Sequence, residues 1–320
     1  MPMELKDIRV LADNVRERIQ KVIVGKSDTV ELMLCAMIAR GHVLLEDVPG
    51  TGKTVMAKSL AKSLDCAFSR IQFTPDLLPS DVTGLSIFNA RTENFEFKPG
   101  PVFTNILLAD EINRATPRTQ SALLECMEER QVTESGVTRA LDEPFLVVAT
   151  QNPVETQGTF PLPEAQLDRF LMKLRPGYPD TDEALAILDR FIRNNPLETL
   201  TPCAAGEDIR AAQGLIGSVH VSEPVKRYMV ALVEKTRELP EVQTGVSPRG
   251  LLALLRACQS WAAMHGRDFV TPDDVKALSV PVLAHRIILG GLYGRSAKSE
   301  EVVREALSQI AAPVESGEGA

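Results

Sequence analysis

One short stretch, HVLLEDVPGTGKT, combines glycines, a lysine and a hydroxyl residue at the spacing of a phosphate-binding loop. Gly50 and Gly52 would let the backbone approach phosphate oxygens, and the amides at the start of a helix attract anions. In such a loop Lys53 contacts the β- and γ-phosphates, and the hydroxyl of Thr54 binds Mg²⁺. Asp47 stands where the usual pattern has glycine, but aspartate tolerates a left-handed backbone. The stretch therefore predicts a nucleotide site.

Two carboxylates follow a second apolar run, NILLADE. Asp110 ends the run and is predicted to bind Mg²⁺, whereas Glu111 could polarise the water that attacks a γ-phosphate. A second carboxylate of this kind distinguishes nucleotide hydrolases from proteins that only bind nucleotide. An ordinary strand ending in acidic residues would look the same, but the upstream phosphate loop favours the catalytic interpretation.

Further polar side chains follow in an order that suits phosphoryl transfer. Asn152 comes after the apolar run FLVVAT and could lie between the γ-phosphate and the water. Arg169 in LPEAQLDRF and Arg249 in GVSPRG offer guanidinium groups, which stabilise charge on a transferring phosphate. We expect Arg249 to reach back to the nucleotide from a helical domain. Taken singly, each of these residues favours a structural role, but their order along the chain favours the functional one.

The elements that must position these residues alternate between apolar runs and helical stretches. Because the runs are short and mostly apolar, they predict strands buried on both faces in a parallel sheet with helical crossovers. The candidate strands are His42–Glu46, Arg70–Phe73, Ile106–Asp110, Phe145–Thr150 and Phe170–Leu174.

Two segments interrupt this alternation, and the second half of the chain changes character. Period-two patterning predicts inserted β-hairpins at about 84–103 and 130–141.

From about Asp208 onward the pattern is helical, with Ser-Glu-Pro, Ser-Pro and Thr-Pro start signals. We therefore predict a nucleotide-binding α/β domain at 1–200, an all-α domain at 201–313 and a disordered tail at 314–320.

Composition narrows the function classes. The net charge is −8 and aromatic residues make up 5% of the chain, so a broad phosphate-backbone clamp or a base-stacking platform is disfavoured. The five cysteines and four histidines are scattered without metal-ligand spacing, and no apolar run is long enough to span a membrane. These features predict a cytoplasmic protein.

The order of the motifs resembles that of AAA+ ATPases, and within them the chain is similar to the MoxR-like group. The resemblance spans nearly the whole sequence and is most specific in HVLLEDVPGTGKT, LLADEINRATPRTQSALLECMEERQVT, VVATQNPVETQGTFPLPEAQLDRF and SPRG. It implies an α/β P-loop AAA+ core, with a five-stranded parallel sheet sandwiched by helices, followed by an all-α helical lid. It also implies hairpins inserted in the second helix and before the strand that carries Asn152.

The resemblance further implies roles for individual residues. Glu111 would activate water, Asn152 would be the first sensor and Arg249 the second, and Arg169 would serve the ATP of a neighbouring subunit in a ring, typically a hexamer. Arg114 and Arg118 could face that neighbour. Thr54 and Asp110 would bind Mg²⁺. The residues implied to contact ATP are Val24, Gly25, Val48, Pro49, Gly50, Thr51, Gly52, Lys53, Thr54 and Val55. Proteins of this group typically work with von Willebrand factor A-domain partners in chaperone-like maturation or metal-cofactor insertion.

Three functions stay open at this point. The first is ATP hydrolysis in a ring that remodels a protein client. The second is a nucleotide-gated binding switch with little turnover, which the pair Asp110 and Glu111 disfavours. The third is a nucleic-acid motor of the same group, for which the second hairpin would need basic residues but offers Glu134 against Arg139.

Overall fold

The structure is a computed structural model that describes residues 3–46, 48, 50–152, 158–192, 195–290 and 296–313. Asp47 and Pro49 of the phosphate loop and the tail predicted at 314–320 lie outside the described residues. The strands are β1 (Val43–Glu46), β2 (Phe68–Gln72), β3 (Gly84–Asn89), β4 (Asn94–Pro99), β5 (Ile106–Asp110), β6 (Gln131–Glu134), β7 (Val137–Ala140), β8 (Leu146–Gln151), β9 (Met172–Leu174), β10 (Val242–Thr244) and β11 (Ile288–Leu289). The helices are α1 (Leu5–Gln20), α2 (Ser27–Ile38), α3 (Lys53–Ser63), α4 (Pro79–Thr83), α5 (Pro117–Glu129), α6 (Glu164–Leu167), α7 (Thr181–Phe191), α8 (Gly206–Leu215), α9 (Glu223–Glu238), α10 (Pro248–Met264), α11 (Pro272–Leu283) and α12 (Ser296–Gln309).

A five-stranded sheet in the order β2-β5-β8-β1-β9 forms the centre of the first half, and its neighbouring strands are all parallel. The predicted parallel sheet is therefore confirmed. Val148 in β8 pairs with both Val43 in β1 and Leu108 in β5, which fixes the relative register of these strands. Because the strands run the same way, the sheet has an amino edge, where strands begin, and a carboxyl edge, where they end.

Helices cover both faces of this sheet, as the predicted sandwich requires. Successive residues of β1 point to opposite faces: Val43 and Leu45 join the core formed with α1, α2 and α3, and Leu44 joins the core beneath α5. All three side chains are fully buried. Burying a Val or Leu side chain contributes about 1.5–3 kcal/mol, so an apolar run fixes the strand between two helical layers.

Two antiparallel hairpins project from the helical connections. Gly84 begins β3 with a φ of 91°, and a side chain there would overlap the carbonyl of Lys98 on β4. The hairpins β3–β4 and β6–β7 contact each other, because Ser86 Oγ donates to Glu134 Oε2 at 2.6 Å. The guanidinium of Arg139 lies 3.9 Å from the centre of the Phe97 ring. The two hairpins therefore form one continuous surface.

The lid that follows is helical, built from α8 to α12. Two of its three predicted capping signals form side-chain bonds, whereas Ser222, before α9, makes no side-chain capping bond. The hydroxyl of Ser247 accepts from the amide of Gly250 at the start of α10, and that of Thr271 accepts from the amide of Asp274 at the start of α11. The structure adds a small antiparallel ladder between β10 and β11. These strands have three and two residues, too few for a period-two pattern to be recognised. No helix in the described part of the chain has the length and hydropathy needed to cross a bilayer.

Candidate functional site

The phosphate loop connects the carboxyl end of β1 to the first residue of α3. Gly50 and Gly52 both have a φ of 85°, the left-handed conformation that favours glycine. Beyond each glycine and its chain neighbours, no described atom lies within 4 Å of the place where either Cβ would be, so it is the backbone conformation that selects glycine. Lys53 begins α3, and its Nζ lies 3.1 Å from the carbonyl of Val48. Thr51 Oγ1 also donates to that carbonyl, at 3.3 Å. The loop thus places helix N-terminal amides and an ammonium group at the carboxyl edge.

Asp110 ends β5 at the same edge, and both of its oxygens have partners. Oδ1 accepts from Thr150 Oγ1 at 2.6 Å, and Oδ2 pairs with Arg70 Nη2 at 2.6 Å. Arg70 lies on β2, whose residue Gln72 is directly opposite Asp110 in the ladder. Carboxylate and hydroxyl oxygens suit Mg²⁺. In this structure, however, Oδ2 of Asp110 is paired with the guanidinium of Arg70.

Glu111 takes up a left-handed backbone, with φ 56° and ψ 49°. Its amide donates to Thr150 Oγ1 at 2.8 Å, so one hydroxyl joins the backbone of Glu111 to the carboxylate of Asp110. Oε2 of Glu111 accepts from Gln72 Nε2 at 2.7 Å and pairs with Arg114 Nε at 3.0 Å. Non-glycine residues in this region cost about 1–3 kcal/mol and are concentrated at functional sites. Arg114, expected to face a neighbouring subunit, thus pairs with Glu111 of its own chain; Arg118 is exposed.

Sequence reasoning did not select Arg70, Gln72 or Thr150. Arg70 and Gln72 are two residues apart on β2 and therefore project from the same face. The alternation of these two polar residues with the buried Ile71 was the available signal. Their partners follow from the pairing of β2 with β5 and of β5 with β8, which connects residues about forty positions apart.

Two more polar residues lie where central strands end. Asn152, one residue beyond β8, is 7% exposed. Glu46, the last residue of β1, is 7% exposed and pairs with Lys173 Nζ at 2.6 Å and with Arg175 Nη2 at 2.5 Å. Burial acts to raise the pKa of Glu46, but the two cations outweigh it and hold that pKa below its ordinary value. Arg175 also pairs with Glu300 of α12 at 2.7 Å, which links β1 to the lid.

The segment predicted to line the adenine pocket lies near the end of β9. Gly25 has a φ of 70°, and the adjacent Lys26 donates to the carbonyls of Pro176 at 2.8 Å and Tyr178 at 3.1 Å. This anchors the turn to the chain that leaves the carboxyl edge. Val24 and Gly25 also line a cavity of about 230 Å³, whose described walls otherwise come from α1, α2, α7, α10 and the residues joining α1 to α2.

Arg169 lies at the opposite edge of the sheet from the phosphate loop of its own chain. It precedes β9, in which Met172 pairs with Val43 at the start of β1. A four-residue strand spans roughly 10 Å, and the loop begins only after β1 ends. Nη1 of Arg169 donates to the carbonyl of Leu124 at 3.0 Å and pairs with Glu128 Oε2 at 2.9 Å. The side chain is 31% exposed, so it lies at the surface.

Arg249 lies beside Arg169 and not beside Lys53. Its Nη2 pairs with Glu128 Oε1 at 3.0 Å, and its Nε lies 4.0 Å from Asp168 Oδ2. The start of α10 therefore faces the amino edge, away from the nucleotide loop to which the sequence suggested Arg249 would reach back. The reason is that the lid packs against the segment that leads into β9.

Buried contacts fix that packing. Arg286 pairs through Nε with Asp168 Oδ1 at 2.7 Å and donates through Nη2 to the carbonyl of Phe170 at 2.7 Å. Burial lowers the pKa of Arg286 to about 10, so the group is still charged at neutral pH. His285 Nε2 lies 3.0 Å from the same carbonyl of Phe170, and burial lowers the pKa of His285 well below its ordinary value. A neutral histidine and a charged arginine thus fasten the lid to the residues around Arg169.

The fold and the carboxyl-edge residues define a P-loop protein with the AAA+ architecture. The sequence profile of the "ATPase family associated with various cellular activities (AAA)" matches residues 42–172, and that of the "AAA lid domain" matches residues 234–314. A crystal structure of a presumed ATPase from Cytophaga hutchinsonii superimposes with a TM-score of 0.89 at 40% identity, covering 96% of each chain.

Individual relatives narrow the class. The chain is 53% identical to the uncharacterized protein YeaC of Bacillus subtilis, with 97% of each chain covered. It is 41% identical to chaperone MoxR1 of Mycobacterium tuberculosis, covering 92% of this chain and 80% of that protein. Protein MoxR of Paracoccus denitrificans is 35% identical, with 85% of this chain and 87% of the relative covered. The chain belongs to the MoxR family of AAA+ ATPases.

Proposed function

We propose that the chain hydrolyses ATP with Mg²⁺ at sites shared between adjoining copies in a ring, a hexamer by family resemblance. The observation that carries this proposal is the separation of its charged groups. Lys53, Asp110 and Glu111 follow strand ends at the carboxyl edge, whereas Arg169 and Arg249 meet at the amino edge. Because those arginines lie across the sheet from their own phosphate loop, they need a second copy to contact a triphosphate.

Each carboxyl-edge residue has a proposed part in turnover. Lys53 and the amides around Gly50 and Gly52 hold the phosphates, while Glu111 orients and polarises the attacking water with Asn152 beside it. Thr54 and Asp110 offer the oxygen ligands that Mg²⁺ prefers, so they fit the ion once Arg70 leaves Asp110. Bound Mg²⁺ would neutralise charge on the β- and γ-phosphates.

The adenine is expected against Val24 and Gly25. This expectation is supported by the anchoring of Lys26 to the segment after β9, which brings the turn towards the edge that carries Lys53. Val48, Thr51 and Val55 complete the proposed nucleotide contacts, and Pro49 belongs to the same motif.

We further propose that hydrolysis drives remodelling of a protein client. The hairpin β3–β4 exposes Ile87, Phe88 and Phe95, with Phe95 74% exposed, and such apolar groups suit a protein partner better than a phosphate backbone. Arg139, the basic residue of the second hairpin, is stacked over Phe97. The relative named chaperone MoxR1 is consistent with this role. A von Willebrand factor A-domain protein is the partner expected from resemblance, and the five free thiols suit a reducing compartment such as the cytoplasm.

The variant Glu111→Gln tests the proposed hydrolysis directly. We expect it to bind ATP with unchanged affinity and to lose steady-state phosphate release by at least about a hundredfold, because the amide cannot accept a proton from water. Glu125→Gln, an exposed residue of α5, makes the same chemical change elsewhere and should leave turnover unchanged. Phosphate release at the wild-type rate from Glu111→Gln would remove Glu111 from this role. Negligible release from the wild-type protein would instead favour the nucleotide-gated switch.

A further inference from the structure

One carboxylate at the amino edge holds both of the arginines assigned to an adjoining copy. Glu128 Oε2 lies 2.9 Å from Arg169 Nη1, and Glu128 Oε1 lies 3.0 Å from Arg249 Nη2. These three residues come from α5, from the segment before β9 and from the start of α10. Glu128 therefore connects the core to the lid at the place where Arg169 and Arg249 lie side by side.

The electrostatics of this cluster depend on Glu128. Three guanidinium groups, of Arg169, Arg249 and Arg286, face two carboxylates, of Glu128 and Asp168. The cluster is left with one net positive charge. Without Glu128, Arg169 and Arg249 would lose their shared counter-charge and repel each other.

Local geometry also favours holding cations here. Glu128 lies in the last turn of α5, where the carbonyl ends of the helix carry partial negative charge. Arg169 also donates to the carbonyl of Leu124, one turn earlier on the same helix. The side chains of Arg169, Glu128 and Arg249 are 31%, 36% and 48% exposed, so the pair can be reached by an anion from outside the chain.

We propose that Glu128 is a positioning residue that keeps Arg169 and Arg249 together as one cationic pair for the triphosphate of an adjoining copy. The inference rests on the proposed function, because it needs both arginines to act across an interface. The inference adds that the two arginines depend on each other. Glu128 holds both side chains at once, so each arginine contributes to turnover only while the cluster of all three residues is intact.

The first test is Glu128→Gln, which keeps the shape of the side chain and removes its charge. We expect kcat for ATP to fall about tenfold to a hundredfold through misplacement of the arginines. Affinity for a fluorescent ATP analogue should change by less than about twofold, because arginines that stabilise charge developing in the transition state contribute to kcat and not to ground-state binding. Glu128→Asp should recover part of the turnover. Glu129→Gln, at an exposed neighbour without an ion pair among the described residues, is the matched control and should match wild type.

Interdependence is measured by a double-mutant cycle. Arg169→Ala, Arg249→Ala and the double variant are compared with and without Glu128→Gln. With Glu128 intact, the double variant should lose little more turnover than the more impaired of the two single variants. In the Glu128→Gln background this coupling should disappear, so the effects of the two arginine substitutions on turnover should be independent of each other. Wild-type turnover in Glu128→Gln, or coupling that survives it, would overturn the proposal.

Failure of this inference can be told apart from failure of the proposed function. Full turnover in both Arg169→Ala and Arg249→Ala would reject the shared site, whereas loss in these variants with normal Glu128→Gln would reject only the role of Glu128. If Glu128→Gln lowers the melting temperature, mixing it with Lys53→Ala distinguishes a misplaced arginine pair from a general loss of folding. The Lys53→Ala copy supplies an intact cluster, so a positioning defect recovers turnover in mixed assemblies, and no recovery contradicts the proposal.

Discussion

At the scale of single residues, the two proposed catalytic carboxylates are held by side chains of their own chain. Arg70 occupies an oxygen of Asp110, and Gln72 donates to Glu111. The hydroxyl of Thr150, a residue that is 1% exposed, donates to the carboxylate of Asp110 and accepts from the backbone amide of Glu111, so it holds the Asp110 carboxylate against the Glu111 backbone. A cation that binds Asp110 therefore competes with Arg70 for the carboxylate.

This competition gives a prediction for Arg70→Ala. Partly exposed ion pairs contribute about 0.2–1 kcal/mol, so removing Arg70 should lower the Mg²⁺ concentration for half-maximal ATP turnover by roughly 1.5-fold to fivefold. A titration of turnover with Mg²⁺ at saturating ATP measures the change. Arg91→Ala removes the same charge from the exposed turn between β3 and β4 and serves as control. An unchanged or raised Mg²⁺ requirement in Arg70→Ala would contradict the competition.

At the scale of elements, β1 is tied to β9 and to α12 through Glu46. Glu46→Gln should destabilise the fold by about 3 kcal/mol at neutral pH, because Lys173 would stay in place with its buried counter-charge removed. Since the folded pKa of Glu46 is depressed, its stabilisation is present above the unfolded pKa and is lost as the pH falls through the folded pKa. Urea unfolding at pH 7 and in that acidic range should show a large difference between variant and wild type that shrinks in acid. Glu17→Gln, an exposed change on α1, should show no such difference at pH 7.

Elements also show what the sequence could and could not predict. The strands of the sheet and the capped helices of the lid follow from local patterns, because apolar runs and capping residues act over a few positions. The phosphate loop is local too. The contacts of Arg70 with Asp110 and of Glu128 with Arg249 depend on strand order and on how the lid packs, and they join residues 40 and 121 positions apart. No short-range pattern contains that information.

At the scale of the whole molecule, the two edges of the sheet make a prediction about mixed assemblies. Lys53→Ala damages the carboxyl edge and Arg169→Ala damages the amino edge, so each variant alone should lose turnover. In an equal mixture, about one quarter of the interfaces would join an intact Lys53 to an intact Arg169 of the next copy, so about a quarter of wild-type turnover should return. Mass spectrometry of the mixture under native conditions establishes that the variants assemble together.

The control for this experiment mixes two variants that are both substituted at the carboxyl edge. Lys53→Ala mixed with Glu111→Gln should recover nothing, because each site takes both residues from one copy and every site then lacks one of them. Recovery in the first mixture alone requires a site that is completed by an adjoining copy. Equal recovery in both mixtures would mean that Lys53 and Glu111 belong to different sites, and no recovery in either, with mixed assemblies present, would mean that Arg169 acts within its own chain. Only the first result is compatible with a nucleotide held between two copies.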